Sequence, residues 1–245
     1  MTIASLAMYP FTHLRSAYDS LWDGVRSRLS FEAPALDWDL DPDVACRRDD
    51  LLVGQTCGWP LVTDLAEAVH VVGTFDCDVA DAVDGTYRSV LVSRTDEPLA
   101  DILHRSALVV AANNRESLSG WISLKSIAAD NGVRLDSVDW TRSHAASVEA
   151  VRDGRADLAS IDAVSWAHLG GRGLSVVGRG PRVPCLPLVT SRLSTGAVVG
   201  ELRQAFAAAV SDPTTAEACA SLKIRGYFDR TLADYEQLST LVQLR

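Results

Sequence analysis

Three short stretches of this chain carry side chains able to do chemistry. Asn113-Asn-Arg-Glu-Ser-Leu-Ser-Gly-Trp121 follows the apolar run 107–111 and opens a helical pattern over 118–131. Ser117 and Ser119 offer hydroxyl donors, and Gly120 lets backbone approach a ligand closely. The free amides of a first helical turn add partial positive charge. That combination suits an oxyanion, although Ser is also a preferred N-cap and the same residues serve a plain helix start. Gln55-Thr-Cys-Gly-Trp-Pro60 follows the strand-like run 51–55, at the carboxyl end where α/β sheets place ligands, with Thr56 as the contact. Gly58 and Pro60 would equally punctuate an ordinary turn. Thr141-Arg-Ser-His-Ala145 joins the run 137–140 to another helix and brings His144 to a positive helix end.

Single residues complete the set. Tyr9 lies just past the first strand, and Tyr87 and Arg88 begin the run 87–93. The Arg88 guanidinium can pair bidentately with an oxyanion or form a salt bridge. Asp162 ends the strand within Gly154-Arg-Ala-Asp-Leu-Ala-Ser-Ile-Asp162. It can accept a hydrogen bond from a ligand hydroxyl, a protonated phosphate or an amine, or simply cap helix 163–169.

An enzyme has less support. Ser119, His144 and Asp162 hold the residue types of a triad, but no G-x-S-x-G elbow surrounds the serine. Cys57 with His144 is a conceivable thiol pair, yet an inert buried cysteine is the commoner arrangement. There is no P-loop, no G-x-G-x-x-G after the first strand and no clustered metal motif, so neither cofactor nor metal is expected.

The elements that position these residues alternate. Strands are expected at 3–8, 51–55, 69–74, 87–93, 107–111, 137–140, 158–162, 174–178 and 186–190. Helices are expected at 13–29, 118–131, 145–153, 163–169, 200–211 and 213–222, with a last one near 231–241. This is an α/β pattern; by itself it leaves one doubly wound domain and two lobes equally open. The net charge of −9 disfavours nucleic acid and anionic membranes as partners, since both are bound through surplus Lys and Arg. Five scattered cysteines without a C-x-x-C pair suggest neither disulfides nor zinc. No apolar run reaches membrane-spanning length. Residues 1–8 lack a basic region and a long apolar core, so no secretory signal is readable.

Taken together, Met8-Tyr9, Gly54-Gln-Thr-Cys-Gly58, Tyr87-Arg-Ser-Val-Leu-Val92, Glu116-Ser-Leu-Ser-Gly-Trp121, Ser143-His144 and 154–162 resemble the phosphonate-binding branch of the substrate-binding proteins that serve ABC transporters. The resemblance spans nearly the whole chain. It implies a two-lobed α/β fold of the type 2 periplasmic-binding kind, with mixed sheets and a hinge of two crossing strands. Residues 1–92 and 191–245 would form lobe 1, residues 93–190 lobe 2, and 87–93 and 186–190 the hinge strands. It also implies that Ser117, Ser119 and Gly120 hold an anionic group, that Tyr9, Thr56 and His144 touch it, and that Asp162 meets the ligand's amino or hydroxyl end. The implied function is closure over a small anion such as phosphate or a phosphonate, for delivery to an ABC permease. The chain is shorter than typical transporter components. Without a readable export signal it is expected to be cytoplasmic as encoded, and periplasmic if its start or export route is unusual. The rivals are a cytosolic lyase on the same scaffold and a soluble ligand sensor.

Overall fold

The computed structural model describes residues 2–242 and divides the chain into two compact units. The first holds 2–78, 82–86 and 184–237; the second holds 79–81, 87–183 and 238–242. Each is built on its own five-stranded mixed sheet.

In the first unit the strands are β1 (Ile3–Ser5), β2 (Leu51–Gln55), β3 (Val69–Cys77), β9 (Pro187–Ser191) and β10 (Ile224–Asp229), ordered β1-β2-β9-β3-β10. β1 runs parallel to β2, while β9 is antiparallel to both β2 and β3 and β10 is antiparallel to β3. Every residue of β2 and β9 is buried, as expected of strands covered on both faces. Helix α1 (Arg15–Arg26) turns Tyr18, Leu21, Trp22 and Val25 inward, a spacing that makes one apolar stripe at 3.6 residues per turn. It packs on α5 (Gly196–Val210) and α6 (Ala216–Ser221), and α5 packs on β3 and β10. Phe206 of α5 is the hub. Its ring lies 6.2 Å from Trp22, 5.8 Å edge-on from Phe75 and 6.0 Å, stacked, from Tyr227. Gly73 makes room for that last ring: a Cβ there would stand 2.2 Å from the Tyr227 hydroxyl, which donates to the Val72 carbonyl at 2.9 Å.

The second unit contains β4 (Thr86–Ser93), β5 (Val109–Ala112), β6 (Ser137–Trp140), β7 (Leu158–Ile161) and β8 (Ser175–Pro184), ordered β6-β5-β7-β4-β8. β5 is parallel to β6 and β7; β4 is antiparallel to β7. One face carries Val90, Val92, Ala111 and Ile161 against Val148 and Val151 of α3 (His144–Arg152), with Trp166 and Leu169 of α4 (Ala163–Leu169) beside them. The other carries Leu91, Val110 and Leu158 against Leu124 and Ala128 of α2 (Ser123–Asp130). The buried runs Val90–Val92 of β4, Val110–Ala112 of β5 and Leu158–Ile161 of β7 thus reflect cover on both faces.

The expected elements recur with shifted ends. The first strand stops at Ser5 and the eighth extends to Pro184. β10 was not expected at all. The helix expected near 231–241 is a pair of 3-10 segments, Leu232–Asp234 and Glu236–Val242. Apart from a short excursion at 79–81 and a last crossing after Gln237, the chain passes from the first unit to the second between Thr86 and Tyr87 and returns between Val183 and Pro184. Among the described residues no helix is long and apolar enough to cross a membrane.

Candidate ligand-binding site

In the second unit the carboxyl ends of β5, β6 and β7 gather the polar residues. After β5 the chain makes an Asx turn, the Glu116 amide donating to Asn114 Oδ1 at 2.9 Å, and then enters a π-helical turn, Leu118–Ile122, that runs on into α2. Ser117 caps it from extended backbone: its Oγ accepts from the Gly120 amide at 3.0 Å, and its carbonyl accepts from the Trp121 and Ile122 amides. The wide turn brings Gly120 under Asn113. A Cβ at Gly120 would fall 1.9 Å from Asn113 Oδ1, an oxygen that is buried and has no hydrogen-bond partner. π turns of this kind are frequent at functional sites.

From β6, Thr141 ties back to the Ala112 carbonyl through both its amide (2.9 Å) and its hydroxyl (3.2 Å). Ser143 then caps α3 by accepting from the Ala146 amide at 3.1 Å, which leaves His144 in the first turn. His144 Nε2 lies 3.1 Å from Ser119 Oγ, while its Nδ1 is buried without a partner. Burial holds this imidazole below its usual range, and the Asp162 charge opposes the shift. Behind Ser119, the Ser160 hydroxyl of β7 donates to the Ser119 carbonyl and stands 3.1 Å from the Ser89 hydroxyl of β4. Asp162 is 3% exposed, and its Oδ1 accepts from the Ser165 amide at 2.8 Å, so it caps α4.

Ser117, Ser119, Gly120 and His144 therefore come together, with Asp162 acting on the imidazole through space. Tyr87 is buried on β4. Arg88 is at the same end of the sheet, because Val90 pairs with Ile161 and Arg88 continues past the carboxyl end of β7. Its guanidinium is 3.5 Å from the Gly180 carbonyl and makes no hydrogen bond to the Ser119–His144 pair. It also feels Asp81, whose carboxyl is held below the usual range chiefly by a hydrogen bond from Arg179.

The first unit has its own buried polar set, at the carboxyl ends of the paired strands β1 and β2. Tyr9 is 7% exposed and Thr56 fully buried. The Thr56 amide donates to the Pro187 carbonyl at 3.1 Å, but its hydroxyl has only the Cys46 thiol beside it, with no nitrogen or oxygen partner. Ser5 Oγ and Gln55 Oε1 are likewise buried and unpartnered. These last two, with Asn113, were missed from sequence. Their signal was position: a polar residue closing an apolar strand at its carboxyl end.

Buried polar atoms without partners are rare and costly, and here they mark both sheets at the end where such folds bind ligands. The family model for the phosphonate, periplasmic substrate-binding proteins of ABC transporters matches residues 63–235. The chain belongs to that family. Members bind a substrate for transport and do not transform it.

Solved structures agree on the fold. A binding-protein component of an ABC phosphonate transporter from Pseudomonas aeruginosa is 17% identical, with 98% of this chain and 84% of that one covered and a TM-score of 0.78. PhnD1 from Prochlorococcus marinus, solved with methylphosphonate, is 14% identical over 99% and 97% of the two chains, at a TM-score of 0.78. XAC2383 from Xanthomonas citri, solved with ATP, is 16% identical over 100% and 96%, at 0.72. No curated protein gives a significant match in sequence. The fold is thus that of the two-lobed periplasmic binding proteins, α/β with two mixed sheets.

Proposed function

We propose that this chain binds a small phosphorus oxyanion, a phosphonate or phosphate, and delivers it to an ABC permease from the periplasm. The observation that carries the reading is the buried Ser119–His144 pair, with an unpartnered Nδ1, at a helix start where the unpartnered Asn113 Oδ1 packs against Gly120. Hydroxyls, first-turn amides and an imidazole suit the oxygens of a tetrahedral anion. The methylphosphonate held by PhnD1 belongs to the same chemical class.

In this reading Ser117, Ser119, Gly120 and His144 hold the anionic group, and Tyr9 and Thr56 add hydroxyls from the first unit. Tyr87 and Arg88 supply further polar contact and positive charge, and Asp162 meets an amino or hydroxyl end. The two compact units act as the lobes that close on the ligand; β4 pairs in the second sheet and β9 in the first, so the lobe boundaries fall at 86/87 and 183/184 and not at the expected 92/93 and 190/191. Closure predicts that ligand reduces the radius of gyration in small-angle scattering; an unchanged profile contradicts it.

The direct test is a thermal-shift screen of phosphate, alkylphosphonates and carboxylates, with Ser119→Ala and Thr56→Ala alongside. A ligand at about 100 times its dissociation constant adds roughly 2.7 kcal/mol of stability, and both variants should lose that gain. Stabilisation by carboxylates alone would exclude the oxyanion reading. Fractionation of cells expressing the native chain tests the periplasmic location.

His144 offers a second readout. Its folded pKa lies below the ordinary 6.5, so as pH falls through 6.5 the unfolded chain takes the proton first and stability declines. A bound anion favours the imidazolium and raises that pKa. Histidine NMR titrations with and without methylphosphonate should show an upward shift at His144; an unmoved titration removes His144 from the site.

A further inference from the structure

A second anion site lies in the first unit, away from the strand ends just described. A cavity of about 190 Å³ opens beside the start of β3, the end of β9 and α5. It is too small for a drug-sized ligand, whose pockets begin near 300 Å³. Three nitrogen-bearing side chains line it: His70, Arg192 and Arg203. The strand register puts it at the opposite end of the sheet from Thr56. Gln55 pairs with Leu188 near the start of β9, whereas His70 pairs with Thr190 and Val69 with Ser191 at its end, next to Arg192.

The cations are already arranged. Arg203 Nε donates to the Val72 carbonyl at 2.9 Å, and Nη2 donates to the Val71 and Arg230 carbonyls at 3.0 Å each. Those bonds hold the guanidinium rigid and leave Nη1 without a partner among the described residues. Arg192 Nη1 lies 3.4 Å from His70 Nδ1. Neither arginine is ion-paired among the described residues, in a chain of net charge −9. Asp234, three residues past the lining residue Thr231, is committed: it accepts from the Thr231 amide at 2.7 Å and hydroxyl at 3.0 Å and lies 3.7 Å from Arg230.

We propose that this cavity binds a tetrahedral dianion, sulfate or hydrogen phosphate, between Arg192 and Arg203. The fixed Arg203 guanidinium and the exposed Arg192 beside His70 supply two positive charges for two negative ones, and the fork geometry of arginine suits tetrahedral oxyanions. The proposal is independent of the ligand assigned to Ser119 and His144.

The test is an NMR titration of the full chain with sodium sulfate at constant ionic strength, following the Arg192 and Arg203 Nε–H signals and the Val71 amide. Saturable shifts are expected. Arg192→Glu, which places a carboxylate in the cavity, should weaken sulfate binding at least about tenfold, the loss expected for one charge-assisted partner. Arg172→Ala, on an exposed residue of the other unit, should leave it unchanged. Arg203→Ala is avoided because it strips three backbone carbonyls of their donor. A linear, unsaturated response, or affinity in Arg192→Glu within twofold of the native chain, overturns the site. Acetate binding as tightly as sulfate overturns the dianion assignment. Ser119→Ala should titrate like the native chain; a loss there would show that the signals report the other site.

Discussion

Gly120→Ala should remove ligand binding while leaving a folded protein. The added methyl would stand 1.9 Å from Asn113 Oδ1 and 2.9 Å from Ser117 Oγ. Both are ends of short side chains, so they can turn away, and overpacking of this kind costs about 1–3 kcal/mol of stability. Turning Ser117 away also breaks its bond from the Gly120 amide, a cap worth about 1 kcal/mol. The affinity should fall by roughly a hundredfold or more, because two hydrogen-bonding groups at a charged ligand leave together and each is worth about 1.5–3 kcal/mol. Calorimetric titration of methylphosphonate, with a urea melt of the same variant, measures both. Full affinity in a destabilised Gly120→Ala would mean that the turn serves only the fold, and the oxyanion reading would lose its main support.

How much of this was legible beforehand depended on the kind of residue. The stretches Val90–Val92 of β4, Val109–Ala112 of β5 and Leu158–Ile161 of β7 are mostly apolar, and such runs between turn residues announce themselves. β10 did not, because Ile224-Arg-Gly-Tyr-Phe-Asp mixes charge, glycine and aromatics on a half-buried edge strand, and its register against β3 shifts between Ile224 and Gly226. In the candidate site, Ser117, Ser119, Gly120 and His144 were readable because each sits just after a strand and within or beside a helix start, where dipole and free amides give a polar residue a purpose. Ser5 and Gln55 were not, since a single polar side chain closing a strand looks like any exposed strand end. Only burial without a partner distinguishes them. Arg88 shows the converse. A guanidinium stands out in sequence, yet its hydrogen-bond partner, the Gly180 carbonyl, comes from β8, 92 residues away, where no spacing would reveal it.

Phe206→Ala should do the opposite of Gly120→Ala, lowering stability steeply while sparing the ligand. Phe206 is fully buried and is the ring on which Trp22, Phe75 and Tyr227 converge. Removing it takes away aromatic burial and leaves a cavity that the neighbours cannot fill. Tyr227 is pinned by its bond to the Val72 carbonyl and by its fit over Gly73, and the Trp22 indole donates to the Pro34 carbonyl at 2.7 Å. A Phe→Ala change in such a core costs about 3–5 kcal/mol, whereas Phe206→Leu, which keeps most of the volume, should cost under about 1.5 kcal/mol. The cluster joins α1 and α5 to β3 and β10, while Ser119 and His144 belong to the other unit. Methylphosphonate affinity should therefore stay within about twofold wherever the variant is folded, distant sites being close to additive. Urea midpoints and calorimetry on both variants separate the two effects. A ligand affinity that falls with Phe206→Ala as steeply as its stability would show that the first unit's core sets the binding geometry, and that the polar groups at the strand ends do not act alone.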